Sequence, residues 1–81
     1  MMDIFEIIKQ ELALVLDLEE EDITRDSLLW EDLNIDSIKR LEFLFILRKK
    51  YNIEVIQEEM LNIRSVGDLE KYLKVKSKSL D

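Results

Sequence analysis

One serine stands out among the residues whose chemistry could serve a function. Ser37 lies within the stretch LNIDSIKRLEFL, residues 33–44, where an apolar helical pattern begins. A nucleophilic serine needs a base to accept its proton and a group to orient that base. The chain has no His and no Cys. The nearest candidate bases are unsuitable: Lys39 points to a different helical face from Ser37, and Asp36 is needed as a helix cap. We therefore expect no enzyme built on Ser37.

Two other roles for Ser37 are open on the residues alone. Asp and Ser at the start of a helix are ordinary capping residues. A hydroxyl in the first turn also lies near unpaired backbone N–H groups and the positive end of the helix dipole, which suits a phosphate attached by another enzyme. An attached group can supply chemistry that the twenty side chains lack.

Composition restricts the class of protein. The 81 residues make one domain, and one glycine, no proline and 47% apolar residues favour an all-α fold. The net charge of −7 disfavours nucleic acid and anionic membranes as partners. The N-terminal ten residues lack a basic region, and no run is long enough to span a membrane, so we expect a cytoplasmic protein without membrane insertion. We also expect a monomer.

Apolar spacing predicts a small bundle of three longer helices and one short helix. The first helix is expected over Asp3–Leu16, capped by Asp3, and the second over Ser37–Lys50, capped by Asp36 and ended near Asn52. The third is expected over Gln57–Asn62. The last starts at Ser65, with Asp68 in a capping-box position. We expect a folded part over about 3–74 and a frayed tail over 75–81.

The segment Asp17–Asp36 carries nine acidic residues against Arg25, a local charge of −8. Such a run is usually a solvated loop. It lacks the glycine and the ligand spacing of an EF-hand, so a calcium module is a weak alternative and we expect no metal site. Asn34 tolerates a left-handed backbone. Apolar residues are expected to pin the loop to the core: Leu18, Ile23, Leu28, Leu29 and Leu33.

The second helix is the most apolar, and its spacing predicts a broad buried face. The residues expected to face inward are Ile38, Leu41, Leu44, Phe45 and Leu47, with Phe43 and Ile46 extending the face. In the last helix the expected buried residues are Val66, Leu69, Tyr72 and Leu73.

Nearly the whole chain resembles the acyl carrier protein family. The stretch EDLNIDSIKRLEFL is similar to the family pattern E-D-L-G-x-D-S-L-x-x-x-E-L. The matching positions are Glu31, Asp32, Leu33, Asp36, Ser37 and Glu42. Downstream, Tyr51 stands where an aromatic residue is usual, Val55 where an aliphatic one is usual, and IRSVGDL where the last helix starts.

The resemblance implies a four-helix bundle that carries 4′-phosphopantetheine, derived from coenzyme A, on Ser37, with Asp36 and Ile38 as its motif neighbours. It implies a carrier with no reaction of its own, serving fatty-acid or specialised lipid synthesis. The implied partners are a phosphopantetheinyl transferase and enzymes that load, elongate or transfer acyl groups. The implied acyl-chain cavity would involve Phe45, Ile46, Met60, Ile63 and Tyr72, for which the residues alone favour plain core over contact with an acyl chain.

The chain departs from the family pattern in three places. Asn34 replaces the usual glycine and Ile56 a frequent proline. The second helix is basic where the family's is acidic: Ser37–Lys50 holds five cationic residues against Glu42, a local charge of +4. Cations in its first turn oppose the helix dipole.

We therefore expect a specialised set of partners that present acidic patches or aromatic pockets. The candidate docking residues are Lys39, Arg40, Glu42, Phe45 and Trp30, although burial of Trp30 as a loop anchor is an alternative. Two other functions stay open: a carrier for aminoacyl or polyketide intermediates, and an unmodified adaptor of the same fold.

Overall fold

The computed structural model describes residues 3–78 and contains the predicted four helices. They are α1 (Ile4–Leu16), α2 (Ser37–Tyr51), α3 (Gln57–Met60) and α4 (Val66–Lys78). A single 3₁₀ turn over Glu20–Asp22 interrupts the long loop. Helix α3 is shorter than predicted. Helix α4 continues past the predicted end of the folded part at 74, while residues 79–81 of the expected tail lie outside the described residues.

The helix ends follow local capping chemistry. Asp3 Oδ1 accepts a hydrogen bond from Glu6 N at 2.8 Å, which confirms the predicted cap of α1. Ser65 Oγ accepts from Asp68 N at 3.1 Å, one half of the predicted capping box. Asn52 ends α2 in the left-handed conformation, with φ 57°.

The core lies where α1 packs against both α2 and α4. Ile8 and Leu12 of α1 and Leu69 and Leu73 of α4 are fully buried. Val66 is buried too, and Tyr72 is half-buried, so the predicted inner face of α4 is confirmed in three of its four residues. No helix in the described part of the chain is long and apolar enough to cross a membrane.

The buried face of α2 differs from the prediction. Phe43 and Leu47 are fully buried, whereas Ile38, Leu41 and Phe45 are 67%, 48% and 62% exposed. At 100° per residue, Phe43 and Leu47 lie on one face and the three exposed residues lie on another. The prediction was wrong because α2 carries apolar residues around most of its circumference, so periodicity does not select one face. Leu44 and Ile46 are half-buried.

The long loop is tied to the start of α4 through its backbone. Leu28 and Ser65 form an isolated antiparallel bridge, Leu29 N donates to Arg64 O at 2.8 Å, and Val66 N donates to Ser27 O at 2.9 Å. Gly67 N donates to Arg25 O at 2.9 Å, and a Cβ at Gly67 would lie only 3.2 Å from that oxygen. The close approach explains the single glycine of the chain.

The predicted loop anchors are mostly confirmed. Ile23, Leu29 and Leu33 are buried and Leu28 is half-buried. Leu18 is 38% exposed, so its expected anchoring is wrong. It follows the left-handed residue Asp17, whose φ of 58° ends α1 and turns the chain outward.

A buried carboxylate that sequence analysis missed joins α1 to the end of α2. Glu11 is fully buried and accepts hydrogen bonds from Tyr51 Oη at 2.5 Å and Lys50 Nζ at 2.8 Å. Burial alone would raise the pKa of Glu11, but the hydrogen bonds from Lys50 and Tyr51 outweigh it and lower the pKa below its ordinary value. Burial and the bond to Glu11 raise the pKa of Tyr51 to about 12.

Candidate functional site at the start of α2

Ser37 is the first residue of α2 and its side chain is exposed. The residue before it holds the helix end together. Asp36 has extended backbone angles, its Oδ1 accepts from Lys39 N at 2.8 Å, and its carbonyl oxygen accepts from Arg40 N at 2.9 Å. The predicted cap is therefore confirmed. The Asp36 carboxylate is engaged with the helix end, while the Ser37 hydroxyl faces solvent.

The turn just before α2 places Ser37 on the outside of the fold. Ile35 is buried, with 4% exposure, and its N donates to Leu29 O at 3.0 Å. Asn34 has a φ of 55°, as the sequence predicted for this position, and its N donates to Trp30 O at 3.1 Å. Because Ile35 points into the core and α2 starts two residues later, the serine is left on the outside.

The first turn of α2 is electrostatically positive. It contains no acidic residue, and the unpaired amides of a helix N-terminus carry partial positive charge. Among the described residues, neither Lys39 nor Arg40 forms an ion pair, while Lys50 at the other end of α2 is paired with Glu11. The donors available here are backbone amides and cations, the set that suits an anionic phosphodiester.

A partly enclosed cavity of about 250 Å³, the Arg40 cavity, lies between α2, the end of the long loop and α3. Met60 and Ile63 line it together with Trp30, Leu29, Ile35 and Arg40. Arg64 and Glu31 line it as well and form an ion pair with each other at 3.0 Å. The Nε atom of Arg40 is buried and has no hydrogen-bond partner among the described residues.

A more open recess of about 620 Å³, the α2 groove, runs along another side of the helix. Its residues are Ile38, Leu41, Glu42, Leu44, Phe45, Arg48, Glu54, Val55 and Gln57. Arg40 lines the cavity and Leu41 lines the groove, and these follow Ser37 by three and four residues. Ser37 is thus one helical turn from a residue of each recess.

The structure divides the predicted site residues between these two recesses. Trp30 and Arg40 lie at the cavity, Glu42 and Phe45 lie in the groove, and Lys39 lines neither. Trp30 is 63% exposed, so its alternative as a buried anchor is wrong.

Of the residues predicted to line an acyl-chain cavity, Met60 and Ile63 line the Arg40 cavity. Phe45 lies in the groove, and Ile46 and Tyr72 line neither of the two recesses. Tyr72 instead donates a hydrogen bond to the carboxylate of Glu59. Sequence analysis missed Ile35 and Arg64 as lining residues, because the loop and the α3–α4 junction meet only in space.

Fold and site together define a small helical protein with an exposed serine in the first turn of α2. Comparison with known proteins gives a match of residues 6–73 to the family described as "Phosphopantetheine attachment site". An acyl carrier protein of Wolinella succinogenes is 36% identical over 72 residues, 89% of this chain and 95% of its own. One of Buchnera aphidicola is 39% identical over 74 residues, 91% of this chain and 95% of its own. The chain belongs to the acyl carrier protein family.

The prosthetic group of this family is 4′-phosphopantetheine, and the site fits it. Ser37 is exposed, and the charge of a phosphodiester is complemented by the amides of the first turn and by Lys39, which forms no ion pair with another residue of 3–78. Within residues 3–78, no group of three or more acidic side chains is placed to hold a metal ion.

Proposed function

We propose that Ser37 is the attachment residue for 4′-phosphopantetheine and that the protein carries acyl groups in fatty-acid or specialised lipid synthesis. The observation that carries the proposal is the exposed Ser37 hydroxyl, held by the Asp36 cap at the positive end of a 15-residue helix in a chain of this family. Ile38 completes the motif and lies 67% exposed beside the serine, where a modifying enzyme can contact it.

The chain's own residues position the group rather than react. Ser37 Oγ forms a bond to phosphorus when a phosphopantetheinyl transferase cleaves the pyrophosphate of coenzyme A, with adenosine bisphosphate leaving and the hydroxyl proton passing to the transferase. When bound, the group supplies a thiol that holds an acyl group as a thioester. Tethering then raises the effective concentration of the acyl group at a docked enzyme. The proposed role is a non-catalytic carrier, monomeric and cytoplasmic, where coenzyme A is available.

Partner enzymes are proposed to dock around Ser37. Lys39 beside the serine forms no ion pair within residues 3–78, so a partner carboxylate can approach it without displacing an internal one. Trp30 and Phe45 are 63% and 62% exposed on the two sides of the site. These features support partners that present acidic patches and pockets for aromatic side chains.

Intact-protein mass spectrometry tests the attachment. Incubation with coenzyme A and a phosphopantetheinyl transferase is expected to add the mass of one phosphopantetheine to the wild type and to the Ser77→Ala variant, and none to Ser37→Ala. No mass gain by the folded wild type would favour the adaptor alternative. A gain retained in Ser37→Ala would place the group elsewhere.

Charge reversal tests the docking surface. Lys39→Glu is expected to slow acyl transfer by the native partners severalfold, because a like charge then opposes the partner carboxylate. Lys49→Glu, with the same charge change in the last turn of α2, serves as the matched control. Equal rates for the two variants would remove Lys39 from the docking surface. A panel of loading enzymes would separate lipid synthesis from the aminoacyl and polyketide alternatives.

A further inference from the structure

The Arg40 cavity contains one unusual polar atom. Arg40 is half-buried, and its Nε, a hydrogen-bond donor that is always protonated, is buried without an acceptor among the described residues. A buried donor without a partner destabilises a protein and is uncommon. It therefore indicates either that the fold is locally less stable or that a ligand supplies the acceptor.

The surroundings of Arg40 explain why no side chain of the cavity pairs with it. Among residues 3–78, the only carboxylate that lines the cavity belongs to Glu31, and this group is engaged with Arg64 Nη2 at 3.0 Å. Most of the remaining wall is apolar, with Leu29, Ile35 and Met60 at 4%, 4% and 2% exposure. The cavity thus combines hydrocarbon walls with a buried donor, Arg40 Nε, that is unpaired among the described residues.

Arg40 lies close to Ser37 along α2, which bears on any cargo carried there. Arg40 follows Ser37 by three residues, a rise of about 4.5 Å along the helix. The volume of about 250 Å³ is smaller than a typical pocket for a drug-sized ligand and suits a short acyl segment. Cargo on the thiol of an arm attached at Ser37 can therefore reach the cavity wall that Arg40 forms if the arm folds back along α2.

We propose that Arg40 makes the protein selective for acyl groups that carry an oxo or hydroxyl oxygen near the thioester, over saturated acyl groups of the same length. The inference rests on the proposed function, since it needs cargo on Ser37. An oxygen on the chain accepts from Arg40 Nε while its carbons contact the apolar wall. A saturated chain fills the same space and leaves the donor unpaired, so it gains less from entering.

The experiment loads Ser37 with short β-oxo, β-hydroxy or saturated acyl groups from the matching coenzyme A thioesters. One readout is the NMR signal of the Arg40 Nε–H. The second is the rate of thiol exchange with cysteamine, which takes the acyl group and releases the pantetheine thiol, divided by the rate for the same acyl group on free pantetheine. We expect the oxygenated cargoes to shift the Arg40 signal and to be protected about tenfold more than the saturated one, equivalent to about 1.4 kcal/mol.

Two variants isolate the donor. Arg40→Met keeps an unbranched side chain without donors, and Arg40→Lys keeps the charge without Nε; in both, the tenfold difference is expected to disappear. Arg48→Met, which removes an arginine of the α2 groove, is expected to retain it. Comparing cargoes within one variant cancels any general change in stability.

The outcomes separate the two proposals. Attachment to Ser37 with equal normalised protection of all cargoes would overturn the role of Arg40 and leave the carrier function intact. A tenfold difference that survives in Arg40→Met would also overturn it. Failure of attachment in the mass measurement would overturn the proposed function, and this inference with it.

Discussion

Removing the Tyr51 hydroxyl is expected to destabilise the fold markedly although the residue is remote from Ser37. In Tyr51→Phe the ring keeps its packing, but Glu11 loses the donor at 2.5 Å and keeps Lys50 at 2.8 Å. Glu11 is fully buried, whereas the Lys50 side chain is 52% exposed, so solvent weakens the remaining ion pair. A hydrogen bond to a buried charge contributes about 1.5–3 kcal/mol.

We therefore expect a loss of about 2 kcal/mol in the free energy of unfolding near neutral pH. For a domain of this size that corresponds to a fall in Tm of roughly 8–16 °C. The pKa of Glu11 is lowered in the folded state by these hydrogen bonds, so its stabilisation is present above its ordinary pKa of 4.5 and is lost as the pH falls below that value.

The contribution of Tyr51 to stability depends on pH with the opposite sign. Its pKa rises from 10.0 to about 12 on folding, so its contribution is complete below pH 10 and is lost between there and about pH 12. The difference in stability between wild type and Tyr51→Phe should therefore be largest from about pH 5 to 10 and shrink on both sides.

Urea unfolding followed by circular dichroism, repeated from about pH 3 to 11, measures this difference. Tyr72→Phe is the matched control, because the Tyr72 hydroxyl donates to Glu59, whose side chain is 46% exposed. We expect Tyr72→Phe to lower the free energy of unfolding by about 0.5 kcal/mol or less. A Tyr51→Phe effect no larger than the control, or one of equal size at pH 7 and about pH 3, would refute the reasoning.

Three further substitutions test the local structure around the site by urea unfolding. Asn34→Ala is expected to cost about 1 kcal/mol because the left-handed backbone, with a φ of 55°, is tolerated by the short polar side chain of Asn, which can hydrogen-bond locally, better than by Ala, and an Asn34→Gly variant that is equally unstable would contradict this. Phe45→Ala should change stability by about 0.5 kcal/mol or less, whereas Phe43→Ala should cost about 3–5 kcal/mol; similar losses would mean that Phe45 is core. Asp36→Ala should lower the free energy of unfolding by about 1 kcal/mol through loss of the cap. Asp36→Asn should keep most of that stability, so equal losses in the two variants would argue against capping.

Features determined by neighbours in sequence were predicted correctly. The caps Asp3 and Asp36, the left-handed backbone at Asn34 and the end of α2 at Asn52 depend on geometry within a few positions, which residue type alone indicates. The position of Ser37 at the first turn of α2 follows from the same local chemistry.

Features determined by distant contacts were not predictable. The buried state of Glu11 depends on Lys50 and Tyr51, roughly forty positions along the chain, and its own surroundings in α1 give no sign of it. The buried face of α2 was misassigned because Ile38 is as apolar as Phe43, and only the packing of α1 distinguishes them.

The bridge between Leu28 and Ser65 makes one side of the Arg40 cavity a fixed frame. Leu29 and Arg64 both line the cavity and are joined directly, backbone to backbone, at 2.8 Å. This wall cannot move outward without breaking main-chain hydrogen bonds, so the bonded amides of Leu29 and Val66 should exchange slowly with solvent deuterium. We therefore expect a change in the volume of the cavity to come from movement of α2 or α3 against this wall.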